Sequence, residues 1–66
     1  MIRVLVVDDS AFVRQALVRM LGGAPDIEIV GTAVDGKDGL EKALALRPDV
    51  VTLGYVMNDA QRHRKH

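Results

Sequence analysis

The stretch Ile2-Arg3-Val4-Leu5-Val6-Val7-Asp8-Asp9-Ser10, residues 2–10, decides the fold. Its first six residues are apolar and mostly β-branched, with one charge. That composition predicts a strand buried on both faces, as parallel strands are. The apolar run then stops abruptly at two carboxylates and a hydroxyl. Beyond them, Val13, Ala16, Leu17, Met20 and Leu21 fall at i, i+3, i+4, i+7 and i+8, the single apolar stripe of a helix. Asp9 or Ser10 is placed to cap the free N–H groups at its start. Gly22-Gly23 supplies a left-handed stop, and Pro25 follows closely.

Working outward, Ile27 to Gly31 alternates apolar and polar at first, which suits a sheet-edge strand with one wet face. A turn is expected at Asp35-Gly36, with Asp35 as the cap of a second helix whose stripe is Leu40, Ala43 and Leu44. Pro48 ends that helix, because a residue before proline is pushed out of helical geometry. Residues 49–53, DVVTL, read as a third apolar strand. The order is β-α-β-α-β, which implies parallel pairing through right-handed crossovers. Residues 54–66 carry no sustained strand or helix period and read as a tail beyond a 1–53 unit.

At 66 residues the chain is shorter than a typical domain, which runs to about 100–150 residues. Hydrophobic residues make up 48% and charged residues 27%, a globular rather than a disordered mixture. Phe12 and Tyr55 are the only aromatics, so the core must be aliphatic. The absence of cysteine excludes disulfides, thiolate metal sites and thiol chemistry. No apolar run approaches the roughly 18 residues that cross a bilayer. Val4–Val7 is too short for a secretory apolar region, so a cytoplasmic chain without membrane contact is expected. The formal charge is zero but uneven: residues 1–61 hold six basic and nine acidic side chains, and Arg62–His66 hold three basic and none acidic.

Asp8-Asp9 is the candidate site. In a parallel sheet, ligands sit at the C-terminal ends of the strands. Two adjacent carboxylates there suit a hard divalent cation, which wants oxygen ligands. The competing reading has one aspartate capping the helix and the other merely solvated. A cation site would also need a third protein oxygen, most naturally from the end of the third strand. Ser10 has no neighbouring histidine and reads as a cap or loop residue, not a nucleophile. Gly22-Gly23 follows a helix instead of opening one, so it is no phosphate loop. The RHRKH tail lacks an aromatic or a scaffold, which argues against a nucleic-acid partner. Its His63 and His66 would share a helical face only if the tail were helical.

VLVVDDSAFVR at 4–14 and GTAVDGKDGLEKALALRPDVVTL at 31–53, with their spacing, resemble the receiver domain of two-component response regulators. The DDSAF segment is most similar to the N-terminal receiver of the chemotaxis protein-glutamate methylesterase. The resemblance implies a flavodoxin-like fold, phosphotransfer signalling and a histidine-kinase partner. It implies that Asp8 and Asp9 hold Mg²⁺ and that the backbone carbonyl of Val56 contributes a third ligand. It places the phospho-accepting aspartate at the end of the third strand, where this chain has Gly54. The family pattern Asp-x-x-Met-Pro reads Gly54-Tyr55-Val56-Met57-Asn58 here, keeping only Met57. Glycine provides no nucleophile and no carboxylate ligand, so the expectation is a phosphorylation-incompetent chain with weak or no Mg²⁺ binding. The family's remaining strands and the methylesterase catalytic domain have no counterpart in these residues, so no enzymatic activity is expected.

A half receiver of this kind would have strand order 2-1-3 and leave the third strand at a border. That strand carries no charge or proline after Asp49 to blunt an exposed edge. A chain this small buries only about 60% of the surface its unfolded form exposes. Completion by a homodimer is therefore expected, through pairing of third strands about a two-fold axis or through exchange of a segment such as Tyr55-Val56-Met57. Full receivers are further candidate partners. The other expectation is a rearranged or engineered fragment that self-assembles and has no signalling activity.

Overall fold

The computed structural model describes residues 1–53. Gly54, Val56, the Tyr55-Val56-Met57 segment, the basic tail and both histidines lie outside the described residues.

Strand β1 (Ile2–Val7) is followed by helix α1 (Ala11–Gly22), strand β2 (Ile27–Ala33), helix α2 (Gly36–Leu46) and strand β3 (Val50–Leu53). The strands form one parallel sheet in the order β2-β1-β3, as expected from the alternation of elements. Successive right-handed crossovers that step to opposite sides of β1 place α1 on one face of the sheet and α2 on the other. The side chains agree. Leu5, Val7 and Ala33 pack with Ala43 of α2. Val4 and Val6, which point the other way along the strand, are buried on the α1 face. β1 is thus apolar from Val4 to Val7, where both of its faces are roofed.

Both helices are rotated from the expected stripes. In α1 the half-buried positions are Arg14, Leu17, Val18 and Leu21, whereas Val13 and Ala16 are exposed and Met20 is 66% exposed. The helix has apolar residues on two sides, and it turns toward β2 the side that meets Val18. In α2, Gly39 is buried and Ala43 and Leu46 half-buried, while Leu40 and Leu44 face outward. Gly39 sets this choice: a Cβ there would stand 2.9 Å from Val7 Cγ2, so only glycine lets the helix lie this close to β1.

The helix ends also differ in detail. Ser10, not Asp9, caps α1: Val13 N–H donates to Ser10 Oγ (3.3 Å). Asp35 caps α2 as expected, accepting from Asp38 N–H at 2.8 Å. No glycine among the described residues takes a positive φ, and Gly23 ends α1 in the right-handed region. The left-handed stop belongs to Arg47 (φ 53°), which leaves helical geometry just before Pro48. Arg47 is held there from both sides. Its N–H donates to the Ala43 carbonyl (2.9 Å), and its own carbonyl accepts from Arg3 Nη1 (2.7 Å).

β2 runs two residues past the expected Gly31, because Thr32 and Ala33 continue the ladder opposite Val6 and Val7. A register shift between Val4 and Leu5 leaves Val30 as the extra residue. The shift brings Gly31 opposite Leu5, where a Cβ would meet Leu46 Cδ1 at 2.8 Å. β3 pairs with β1 from Val4↔Val50 to Val7↔Leu53, and among the described residues nothing pairs with its other side. Val50, Val51 and Leu53 are exposed there.

Candidate cation site at the end of β1

Asp8 follows the last residue of β1 and is 2% exposed, the one charged side chain buried among the described residues. Its backbone is fixed on both sides. Asp8 N–H donates to the Ala33 carbonyl (3.1 Å), and the Asp8 carbonyl accepts from Arg14 Nη1 (2.8 Å). Ser10 N–H donates to Asp8 Oδ1 at 2.9 Å. These bonds close the β1–α1 loop into a compact turn, with Ser10 serving both as partner of Asp8 and as cap of α1.

The other carboxylate oxygen, Asp8 Oδ2, is buried without a hydrogen-bond partner. A charged oxygen removed from water and left unpaired is costly, and such groups call for a counter-charge. Asp9, next in the chain, is exposed. The pair therefore presents one rigid, dry acceptor and one that reaches solvent, at the strand end where parallel sheets bind ligands. Hard oxygen donors of this kind fit Mg²⁺, which keeps several of its waters and needs only one or two carboxylates. No cluster of three or more His, Cys, Asp or Glu side chains occurs among the described residues. The alternative in which one aspartate caps α1 does not hold, because Ser10 has that role.

Arg14 and Thr52 were not singled out by the sequence patterns. Arg14 carries a signal in hindsight, since it sits on the 14-17-18-21 spacing of the buried side of α1, where a cation needs a reason. That reason is the Asp8 carbonyl. Arg14 also lines a cleft of about 250 Å³ with Gln15, Val18 and Thr32. Thr52 Oγ1 is the other buried side-chain oxygen without a partner among the described residues. Nothing in an apolar strand such as DVVTL announces it.

A second polar group lies at the end of β2. Lys42 Nζ donates to the Thr32 carbonyl (2.6 Å) and pairs with Asp38 Oδ2 (3.3 Å), which also accepts from Val34 N–H (3.1 Å). The Val34 N–H holds the Asp38 carboxyl below its ordinary value of 3.8, with Lys42 and Arg14 adding to the effect and partial desolvation opposing it. This group ties α2 to β2 and spends its charges internally.

No protein-family model matches the chain. Curated proteins do. A protein-glutamate methylesterase/protein-glutamine glutaminase of Symbiobacterium thermophilum is 64% identical over 56 residues, covering 85% of this chain and 16% of that protein. One from Methanosarcina acetivorans is 62% identical over the same length and shares. The chain thus spans 16% of the length of these relatives. Among solved structures, the response regulator domain of Thermotoga maritima CheB superposes with a TM-score of 0.76 at 53% identity, over 77% of this chain and 38% of that one. In sequence and in fold, the chain is similar to the N-terminal part of the response-regulator receiver domain of the chemotaxis methylesterases.

Proposed function

We propose that this chain is a receiver-type module of a chemotaxis signalling system that holds Mg²⁺ weakly and takes up no phosphoryl group. The observation that carries the reading is Asp8: a buried carboxylate with one unpaired oxygen, pinned at a strand end beside Asp9. Asp8 and Asp9 would hold the ion, and the Val56 carbonyl would be the third protein contact. When bound, such an ion would supply the counter-charge that the buried Asp8 carboxylate lacks. The chain's own contribution is the rigid β1–α1 turn, which fixes Asp8 through Ser10 and Arg14.

Phosphoryl transfer onto protein also needs a nucleophile. On the family resemblance that position would be Gly54. A glycine has no group to accept the phosphoryl. Signalling by such a chain would run through binding, to a histidine kinase or to complete receivers, and not through ester hydrolysis. The test is incubation with a small phosphodonor and Mg²⁺, followed by intact-mass measurement. No gain of about 80 Da, the mass of one phosphoryl group, is expected, and a gain of that size at any aspartate, Asp8 and Asp9 included, would overturn the proposal.

One observation favours self-association as a second activity. β3 has no partner on its outer side among the described residues, and Val50, Val51 and Leu53 are exposed along it. Pairing of β3 with β3 of a second copy, or exchange of a segment between copies, would cover it. Light scattering over a dilution series tests this: concentration-dependent dimers are expected, and a folded monomer at micromolar concentration would refute it.

A further inference from the structure

Two buried side-chain oxygens lack partners among the described residues, Asp8 Oδ2 and Thr52 Oγ1, and the sheet register puts them on one face. Thr52 lies opposite Val6. Partnered residues of a parallel ladder point the same way, and Asp8 is two residues beyond Val6, so all three side chains share the α1 face. The strand spacing and rise set the Cα atoms of Asp8 and Thr52 at about 8 Å. The two oxygens make no hydrogen bond to each other. Both side chains stand off the same face of the sheet, and unpartnered polar atoms at neighbouring positions are commonly bridged by water.

We propose that Thr52 is an outer-sphere contact of the cation site: its hydroxyl accepts a hydrogen bond from a water of hydrated Mg²⁺ held at Asp8. This inference rests on the cation reading above. It accounts for two features at once. An unpaired buried hydroxyl destabilises the ligand-free fold, and valine would fill the same space without that cost. A hydroxyl kept in an otherwise apolar strand is then explained by a partner that arrives with the ion, since outer-sphere groups orient a metal's ligands and tune its affinity.

The experiment compares the full chain with Thr52→Val and Thr52→Ser, measuring thermal unfolding without metal and Mg²⁺ binding by calorimetry. Thr52→Val should raise the metal-free melting midpoint by about 4–8 °C, the size expected for relieving one unpaired hydroxyl in a domain this small. The same substitution should weaken Mg²⁺ binding about tenfold. Thr52→Ser, which keeps the hydroxyl, should bind Mg²⁺ within about twofold of the parent. Opposite signs for stability and binding are what a purely structural threonine would not produce. Equal Mg²⁺ affinity in the parent and Thr52→Val would overturn the inference and leave the cation site standing. A lower metal-free midpoint in Thr52→Val would also overturn it, because the hydroxyl would then have a partner within the fold. No Mg²⁺ response in the parent would bring down the cation site itself, and this inference with it.

Discussion

Replacing Gly39 by alanine tests how α2 sits on the sheet. A Cβ at this position would lie 2.9 Å from Val7 Cγ2 and 3.3 Å from Val7 Cγ1. Val7 is fully buried on the central strand, and its methyl groups are one bond from the branch point, so they cannot swing aside. Alanine gains at most about 1 kcal/mol of helix propensity over glycine. Forcing a methyl into a filled site costs about 1–3 kcal/mol. Packing outweighs propensity against so stiff a neighbour, and Gly39→Ala should destabilise by up to about 2 kcal/mol, lowering the melting midpoint by up to about 16 °C. Gly22→Ala is the matched control. Nothing lies within 4 Å of a Cβ there and the backbone has no positive φ, so it should stabilise by about 0.4–1 kcal/mol. Gly31→Ala should fall between them, because its contact at 2.8 Å is Leu46 Cδ1, the mobile end of a flexible side chain. Urea and thermal unfolding followed by circular dichroism reads all three. If Gly39→Ala stabilises as Gly22→Ala does, α2 does not rest on Val7.

Ser10→Ala removes the cap of α1 and should cost about 0.5–1 kcal/mol, the low end of the capping range because the bond is long at 3.3 Å; a neutral result in urea unfolding would place the cap elsewhere. Asp38 is held below 3.8, so its contribution to stability is present above that value and is lost as pH falls through the lowered one. The acid side of a stability–pH profile should therefore be flatter in Asp38→Asn than in the parent, and superimposable slopes would contradict the Val34 and Lys42 contacts. Arg47→Gly relieves a left-handed backbone while keeping the carbonyl that Arg3 uses, and should raise stability by up to about 1 kcal/mol; a clear loss in thermal unfolding would show that the Arg47 side chain has a further role.

The strands and helices were legible because a buried parallel strand and an amphipathic helix leave different periods. IRVLVV gave β1 its full span, and Ser and Asp at the heads of the apolar stripes marked both helix starts. Which side of each helix faces inward was not legible. α1 has apolar residues at 12, 13, 16 and 20 as well as at 17, 18 and 21, and only contact with β2 chooses between them. The choice in α2 hangs on a glycine, whose value is the side chain it lacks. The extra residue at Val30 and the left-handed Arg47 are products of register and of the Arg3 contact, which no local pattern encodes. At the site, the acid pair stood out by position alone. Arg14 and Thr52 did not, because their roles depend on groups six and forty-four residues away from them in the chain.

Paramagnetic broadening by Mn²⁺, read on the backbone amides of the full chain, tests most directly whether the end of β1 is a cation site. The amides of Asp8, Asp9 and Ser10 should broaden first and saturably, with Asp8→Asn abolishing the effect. Broadening centred on the Asp35–Asp38 turn, or unchanged by Asp8→Asn, would contradict the assignment of the site.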